Sequence, residues 1–150
     1  MPSQLGPSFP RLLCLQGYNR FMDSLAKSLW LGAGAFIGAN MRFWFGEWIG
    51  QRGAMVFPWA TFLINVAGSL LIGIFYAFEL RYTPNFAYRL FFAVGICGGF
   101  TTFSTFSWES LRLMEKGNWL AASSYVAGSV VVTIAACYIG FSLTRSAIGG

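Results

Sequence analysis

Charge is missing from three long stretches of this chain, residues 53–78, 90–108 and 117–144, the shortest of which is 19 residues. A helix crossing the hydrocarbon core of a bilayer needs about 20 predominantly apolar residues, so each stretch predicts a transmembrane helix. A fourth uncharged stretch, 28–41, is only 14 residues long. It spans a membrane only if Arg42 lies inside the helix and Glu47 ends it. The chain therefore reads as an all-α membrane protein with four transmembrane helices, and Arg42 is the anomaly. Of the 150 residues 10% are charged and 56% hydrophobic, whereas soluble domains carry about 25% charged residues. That balance excludes a soluble globular domain and a disordered chain alike.

Several kinds of chemistry are excluded by what is missing. The sequence has no histidine, the usual general base, proton shuttle and imidazole ligand. Its three cysteines, Cys14, Cys97 and Cys137, match neither a metal knuckle nor a disulfide framework and read as small apolar residues. The net charge of +5 comes without a basic cluster interleaved with aromatics, so no nucleic-acid partner is expected.

Along the chain, residues 1–22 stand apart, with Pro2, Pro7 and Pro10 and no apolar run long enough for a signal-peptide core. They read as a disordered tail or as a start-site extension, with translation beginning at Met22, which leaves 23–150 as the transmembrane domain. Helix 1 is expected from about Ser24 to Trp48, carrying Gly34 and Gly38 one turn apart and Trp44 and Trp48 at the interfacial belt. A loop with Gly50, Arg52 and Gly53 leads to Pro58, placed for the first turn of helix 2. Helix 2 continues to about Leu80, with Ser69, Gly73 and Ala77 as a smooth packing stripe. After Pro84 and Asn85, helix 3 covers about Ala87 to Met114. Lys116-Gly117-Asn118 turns the chain into helix 4, which ends before Arg145.

Loops of a four-helix protein alternate sides, and Lys and Arg favour the cytoplasmic one. Without the tail, Lys27, Arg81, Arg89 and Arg145 face one side while Arg42, Arg52, Arg112 and Lys116 face the other. Four against four is no orientation signal, which suggests insertion both ways and pairing as an antiparallel homodimer. Arg11 and Arg20 of the tail add to one side.

The strongest chemical signal is the helix 3 string from Gly95 to Ser107, in which paired glycines precede five hydroxyl residues. Such a composition makes poor continuous helix. Either the helix breaks at membrane depth, presenting carbonyls or amides to an ion, or it runs straight with hydroxyls bonded back to preceding carbonyls. Phe103 and Phe106 share a face, and their rings serve either packing or, edge-on, an anion path. Asn65, central in helix 2 with Thr61 on the same face, offers two N–H donors to a permeating ion or to a neighbouring helix. Tyr125, Ser129 and Thr133 add a hydroxyl stripe on helix 4. Arg42 is either an interfacial snorkelling residue or a source of positive field at a vestibule. Neutral donors with hardly any mid-membrane charge suit an ion that must be coordinated and released.

Gly38-Ala39-Asn40-Met41-Arg42, Thr61-Phe62-Leu63-Ile64-Asn65 with Gly68, and the segment from Gly98 to Phe106 together resemble the signatures of the Fluc family of fluoride channels, also called CrcB proteins. The resemblance covers about residues 25–145. It implies an antiparallel, dual-topology homodimer in the plasma membrane, with two fluoride pores giving passive fluoride export, no enzymatic chemistry, and a structural sodium ion at the centre. By that resemblance the carbonyls of Gly98 and Thr101 from both chains hold the sodium and Asn65 donates to fluoride. Phe103 and Phe106 present ring edges, Ser104, Thr105, Tyr125, Ser129 and Thr133 form a polar track, and Glu109 lies near a pore end.

The main rival is a small four-helix multidrug exporter. Proton-coupled transport needs an ionisable carboxylate in the membrane interior, and Glu47, Glu79, Glu109 and Glu115 are all expected at helix ends. A membrane enzyme would need a nucleophile–base pair or a metal site, and neither is present in the sequence.

Overall fold

The computed structural model describes residues 9–50, 57–83 and 85–149, with side chains from Met22 onward. Among these residues the chain is helical with no strand. The elements are α1 (Phe9–Gly50), α2 (Trp59–Tyr82), α3 (residues 86–100), α4 (Phe103–Glu115) and α5 (Trp119–Ile148). Three stretches are long and apolar enough to cross a membrane: Trp59–Tyr82, Phe86–Glu115 and Trp119–Ile148. The fourth long helix is α1, the one interrupted by Arg42.

α1 begins earlier than the expected Ser24, so part of the segment read as a tail continues this helix. The sequence there holds nothing to stop it: Pro10 falls in the first turn, where a missing N–H costs nothing, and the following leucines are good helix formers. Residues 1–8 and the expected loop at Arg52 and Gly53 lie outside the described residues.

The other boundaries follow local chemistry. Pro58 immediately precedes α2 and its carbonyl accepts the Phe62 N–H at 3.1 Å. Asn85 caps α3 by accepting the Ala87 N–H on its side chain. Gly117, at φ +74°, allows the reversal between α4 and α5 that a side chain at that position would resist.

The helices alternate in direction. Thr61 meets Glu109, Asn65 meets Thr102, Phe75 stacks on Phe92 and Glu79 pairs with Arg89, so α2 runs against α3 and α4. Gly34 lies against Phe91 and Gly95, and Gly38 against Ile96 and Phe100, so α1 runs with α3. Phe57 packs on Tyr125 while Gly73 faces Cys137 and Phe141, so α2 and α5 run together.

Close backbone approach holds these pairs. A Cβ on Gly34 would strike the Phe91 carbonyl, one on Gly38 the Ile96 carbonyl and one on Gly73 the Cys137 carbonyl. Small residues allow such contact where lipid supplies no hydrophobic expulsion between helices. The expected stripe on α2 is a packing face at Gly73 and at the buried Ala77. Cys97 is buried and Cys137 half-buried, both free thiols.

Helix 3 is the irregular one. Residues 90–97 form a π-helical stretch in which the Gly98 N–H reaches back to the Ala93 carbonyl, and the carbonyls of Phe91 and Ile96 sit against the α1 glycines. Nothing in the residue order of this stretch marks the widening. The helix then stops at Thr101 (φ −76°, ψ 157°) and Thr102 (φ −148°, ψ 113°), both extended, before restarting at Phe103. The break expected in this string is therefore present, in the middle of the Phe86–Glu115 span.

Candidate ion pathway at the helix break

Two consecutive extended residues free backbone groups that helix geometry would otherwise pair. The Thr102 N–H, which would close a helical turn onto the Gly98 carbonyl, instead donates to Asn65 Oδ1 at 2.8 Å. Asn65 Nδ2 donates back to the Thr102 carbonyl at 3.2 Å. The Thr105 N–H, the helical partner of the Thr101 carbonyl, goes to Thr102 Oγ1 at 3.3 Å. The carbonyls of Gly98 and Thr101 are thereby released from helical pairing. The Thr101 oxygen accepts one long contact, 3.5 Å from Arg42 Nη1.

Thr102 is the centre of this arrangement. Its backbone is held by Asn65, and its hydroxyl caps α4, donates to Thr105 Oγ1 at 3.0 Å and lies 3.3 Å from Ser104 Oγ. It was not singled out from the sequence, although a threonine three residues before Thr105 at a helix start is a recognisable capping pattern. Gly68 admits the break against α2, because a Cβ there would collide with Thr101 Cγ2.

A cavity of about 320 Å³ opens beside the break. Asn65, Gly98, Thr101, Phe103, Phe106, Ser129 and Thr133 line it, as do Thr102, Ser69 and Cys97, which the sequence reading had not assigned to a site. The Phe103 and Phe106 rings lie 5.4 Å apart, inclined at 40°. Thr133 Oγ1 donates to the Ser129 carbonyl at 2.6 Å. Ser129 Oγ, in a residue only 6% exposed, has no hydrogen-bond partner among the described residues. Since a buried hydroxyl without a partner costs free energy, that atom is a standing donor toward whatever enters the cavity.

The remaining site residues form a second group. Glu109 accepts from Thr61 Oγ1 at 2.9 Å and from Tyr125 Oη at 2.7 Å, so three helices meet at one carboxylate. Tyr125 is wholly buried, and its ring touches Phe106 at 5.1 Å, which joins this triad to the cavity wall. The expectation that every acid lies at a helix end is corrected here: Glu109 sits at the centre of α4, half-buried and bonded. The placement is possible because Thr61 and Tyr125 satisfy both carboxylate oxygens. Ser104 and Thr105 lie in the first turn of α4, bonded to the Thr102 cap, and do not line the cavity.

Residues 29–141 match the family model described as CrcB-like protein, Camphor Resistance (CrcB). This chain belongs to the CrcB family. Among its CrcB relatives, the fluoride-specific ion channel FluC of Nitrobacter winogradskyi is 44% identical over 120 residues, 77% of this chain and 92% of that one. The fluoride-specific ion channel FluC of Paramagnetospirillum magneticum is 46% identical over 110 residues, covering 71% and 86%. That of Chloroflexus aurantiacus is 45% identical over 116 residues, covering 77% and 92%. Like other multi-pass proteins, this CrcB chain is built for the cell membrane by its long apolar helices.

Proposed function

We propose that this chain is a fluoride-specific ion channel, passing fluoride out of the cell without covalent chemistry. The observation that carries the reading is the broken helix held by Asn65 beside a cavity whose polar lining is neutral. Fluoride is small and strongly hydrated, so shedding water requires replacement donors. The Ser129 hydroxyl is free for that purpose. Asn65 has committed one N–H to Thr102, which leaves its second N–H for the ion. Ring edges of Phe103 and Phe106 carry partial positive charge suited to an anion.

The working unit is an antiparallel homodimer with two pores, as the family resemblance implies. Extensive exposed apolar surface, with Phe36 at 72% and Phe103 at 79%, supports burial against lipid or a second copy. The donor set also fits a structural sodium ion, because the carbonyls of Gly98 and Thr101 lack their helical partners and a hard cation takes oxygen ligands. When bound, sodium would supply a fixed positive charge joining the two chains at their breaks. Arg42 beside the Thr101 oxygen adds positive field from within the chain.

Efflux from liposomes, followed with a fluoride electrode and repeated with chloride, tests the function. Fast fluoride release with little chloride release is expected; equal release of both, or none, overturns it. The multidrug-exporter reading is not favoured, since Glu109 is engaged by two hydroxyls.

A further inference from the structure

The cavity beside the break has more hydroxyls than it leaves free. Thr101 Oγ1 donates to the Cys97 carbonyl at 2.9 Å, Thr102 Oγ1 to Thr105 Oγ1 at 3.0 Å and Thr133 Oγ1 to the Ser129 carbonyl at 2.6 Å. Among the described residues, that leaves two lining hydroxyls without a hydrogen bond, Ser129 and Ser69. A serine inside a helix can bond back to the carbonyl four residues earlier, as Ser110 does to Phe106 and Ser124 to Leu120. Ser69 makes no such bond to Asn65. It also departs from the small-residue stripe expected on α2. Gly73 and Ala77 are buried in helix packing, whereas Ser69 is half-buried and lines the cavity.

Helix geometry places this hydroxyl along the pathway. Ser69 follows Asn65 by one turn on the same face, about 6 Å further along the α2 axis. Ser129 falls on the other side of Asn65, since its neighbour Gly128 lies beside the Phe62 ring while Gly140 lies beside Leu70. The two free hydroxyls therefore extend the neutral donors in both directions from Asn65. At the Ser69 end the cavity is otherwise walled by the side chains of Ile72, Ala93 and Cys97.

We infer that Ser69 is a further fluoride-binding residue, which extends the ion track one helical turn beyond Asn65, on the side away from Thr61 and Glu109. This role rests on the fluoride-channel function proposed above. An anion moving from Asn65 toward that end meets apolar side chains and needs a donor in place of lost water. The Ser69 O–H is the lining hydroxyl there that is not already spent. Successive weak sites suit conduction, because an ion must bind well enough to enter and loosely enough to leave.

The test compares Ser69→Ala with the unsubstituted full chain, reading fluoride release from liposomes with an electrode and the unfolding midpoint in detergent by tryptophan fluorescence. Alanine keeps the side chain small and favours helix. Release slowed by about tenfold is expected, with the midpoint unchanged or slightly raised. Ser124→Ala, which removes a hydroxyl bonded to the Leu120 carbonyl outside the cavity, should leave release unchanged. Release by Ser69→Ala equal to that of a conducting unsubstituted chain overturns the inference and leaves the channel reading standing, because a mere packing role tolerates alanine. A lowered midpoint also overturns it, since the hydroxyl is then bonded within the assembled protein, as does equal slowing in Ser124→Ala. An unsubstituted chain that releases no fluoride overturns the channel reading, and the role of Ser69 with it.

Discussion

The carboxamide of Asn65 pairs with both backbone polar groups of Thr102, accepting its N–H at 2.8 Å and donating to its carbonyl at 3.2 Å. One side chain on α2 thus pairs both backbone polar groups of a residue at the interruption of helix 3. Buried backbone groups must be paired somewhere, and Thr102 is 7% exposed. The clamp therefore stabilises the break itself, and any role of Asn65 toward an ion is exercised through its remaining N–H.

Asn65→Ala should lower stability as well as conduction. Two buried groups lose partners at about 1–3 kcal/mol each. A reduced midpoint of thermal unfolding in detergent, followed by tryptophan fluorescence, together with loss of fluoride efflux, is the expected pair of results. Normal unfolding with lost efflux would assign Asn65 to the ion alone.

Ser129→Ala should separate the two properties. Its hydroxyl has no partner among the described residues, so removal should change stability by less than about 1 kcal/mol. Efflux should slow by about tenfold, the loss of one hydrogen bond to an anion. Unchanged efflux would remove Ser129 from the pathway.

Tyr125→Phe keeps the ring against Phe57 and Phe106 and deletes only the bond to Glu109. A hydrogen bond to a charged group contributes about 1.5–3 kcal/mol. Thr61→Val removes the other bond to the same carboxylate. Because the two share one acceptor, their combined effect in an unfolding double-mutant cycle should depart from additivity by about 0.5–3 kcal/mol. Strict additivity would mean that Glu109 does not couple them.

Gly38→Ala should be costly although alanine favours helix. Its Cβ would meet the Ile96 carbonyl, backbone that cannot step aside without moving α3. Overpacking of this kind costs about 1–3 kcal/mol. Gly46→Ala in the same helix, where nothing lies within 4 Å, should be neutral or slightly stabilising. Equal unfolding midpoints for the two variants would contradict the close approach of α1 and α3.

Much of this was legible from residue order. Uncharged runs of bilayer length marked the three spans, since neither a charge nor an unpaired backbone group is tolerated in hydrocarbon. Glycines at helical spacing marked the contact faces, and the Gly95–Ser107 string marked the interruption, because its residues are individually poor at sustaining a helix. The partners of those residues were not legible. Glu109 was placed at a helix end because a sequence does not reveal that Thr61 and Tyr125, 48 and 16 residues away, converge on its two oxygens. Thr102 looked like any other hydroxyl of its string until Asn65 arrived from α2.

The sequence by itself therefore determined that the chain is helical and membrane-embedded, since those properties depend on local composition and on the solvent around it, and it marked where helix 3 is weakest. Only the tertiary structure decided which carbonyls are released at the break, which hydroxyl is left without a partner and where Arg42 spends its charge. Each of these depends on an atom supplied by another helix, and such distances are set by how glycine-faced helices pack.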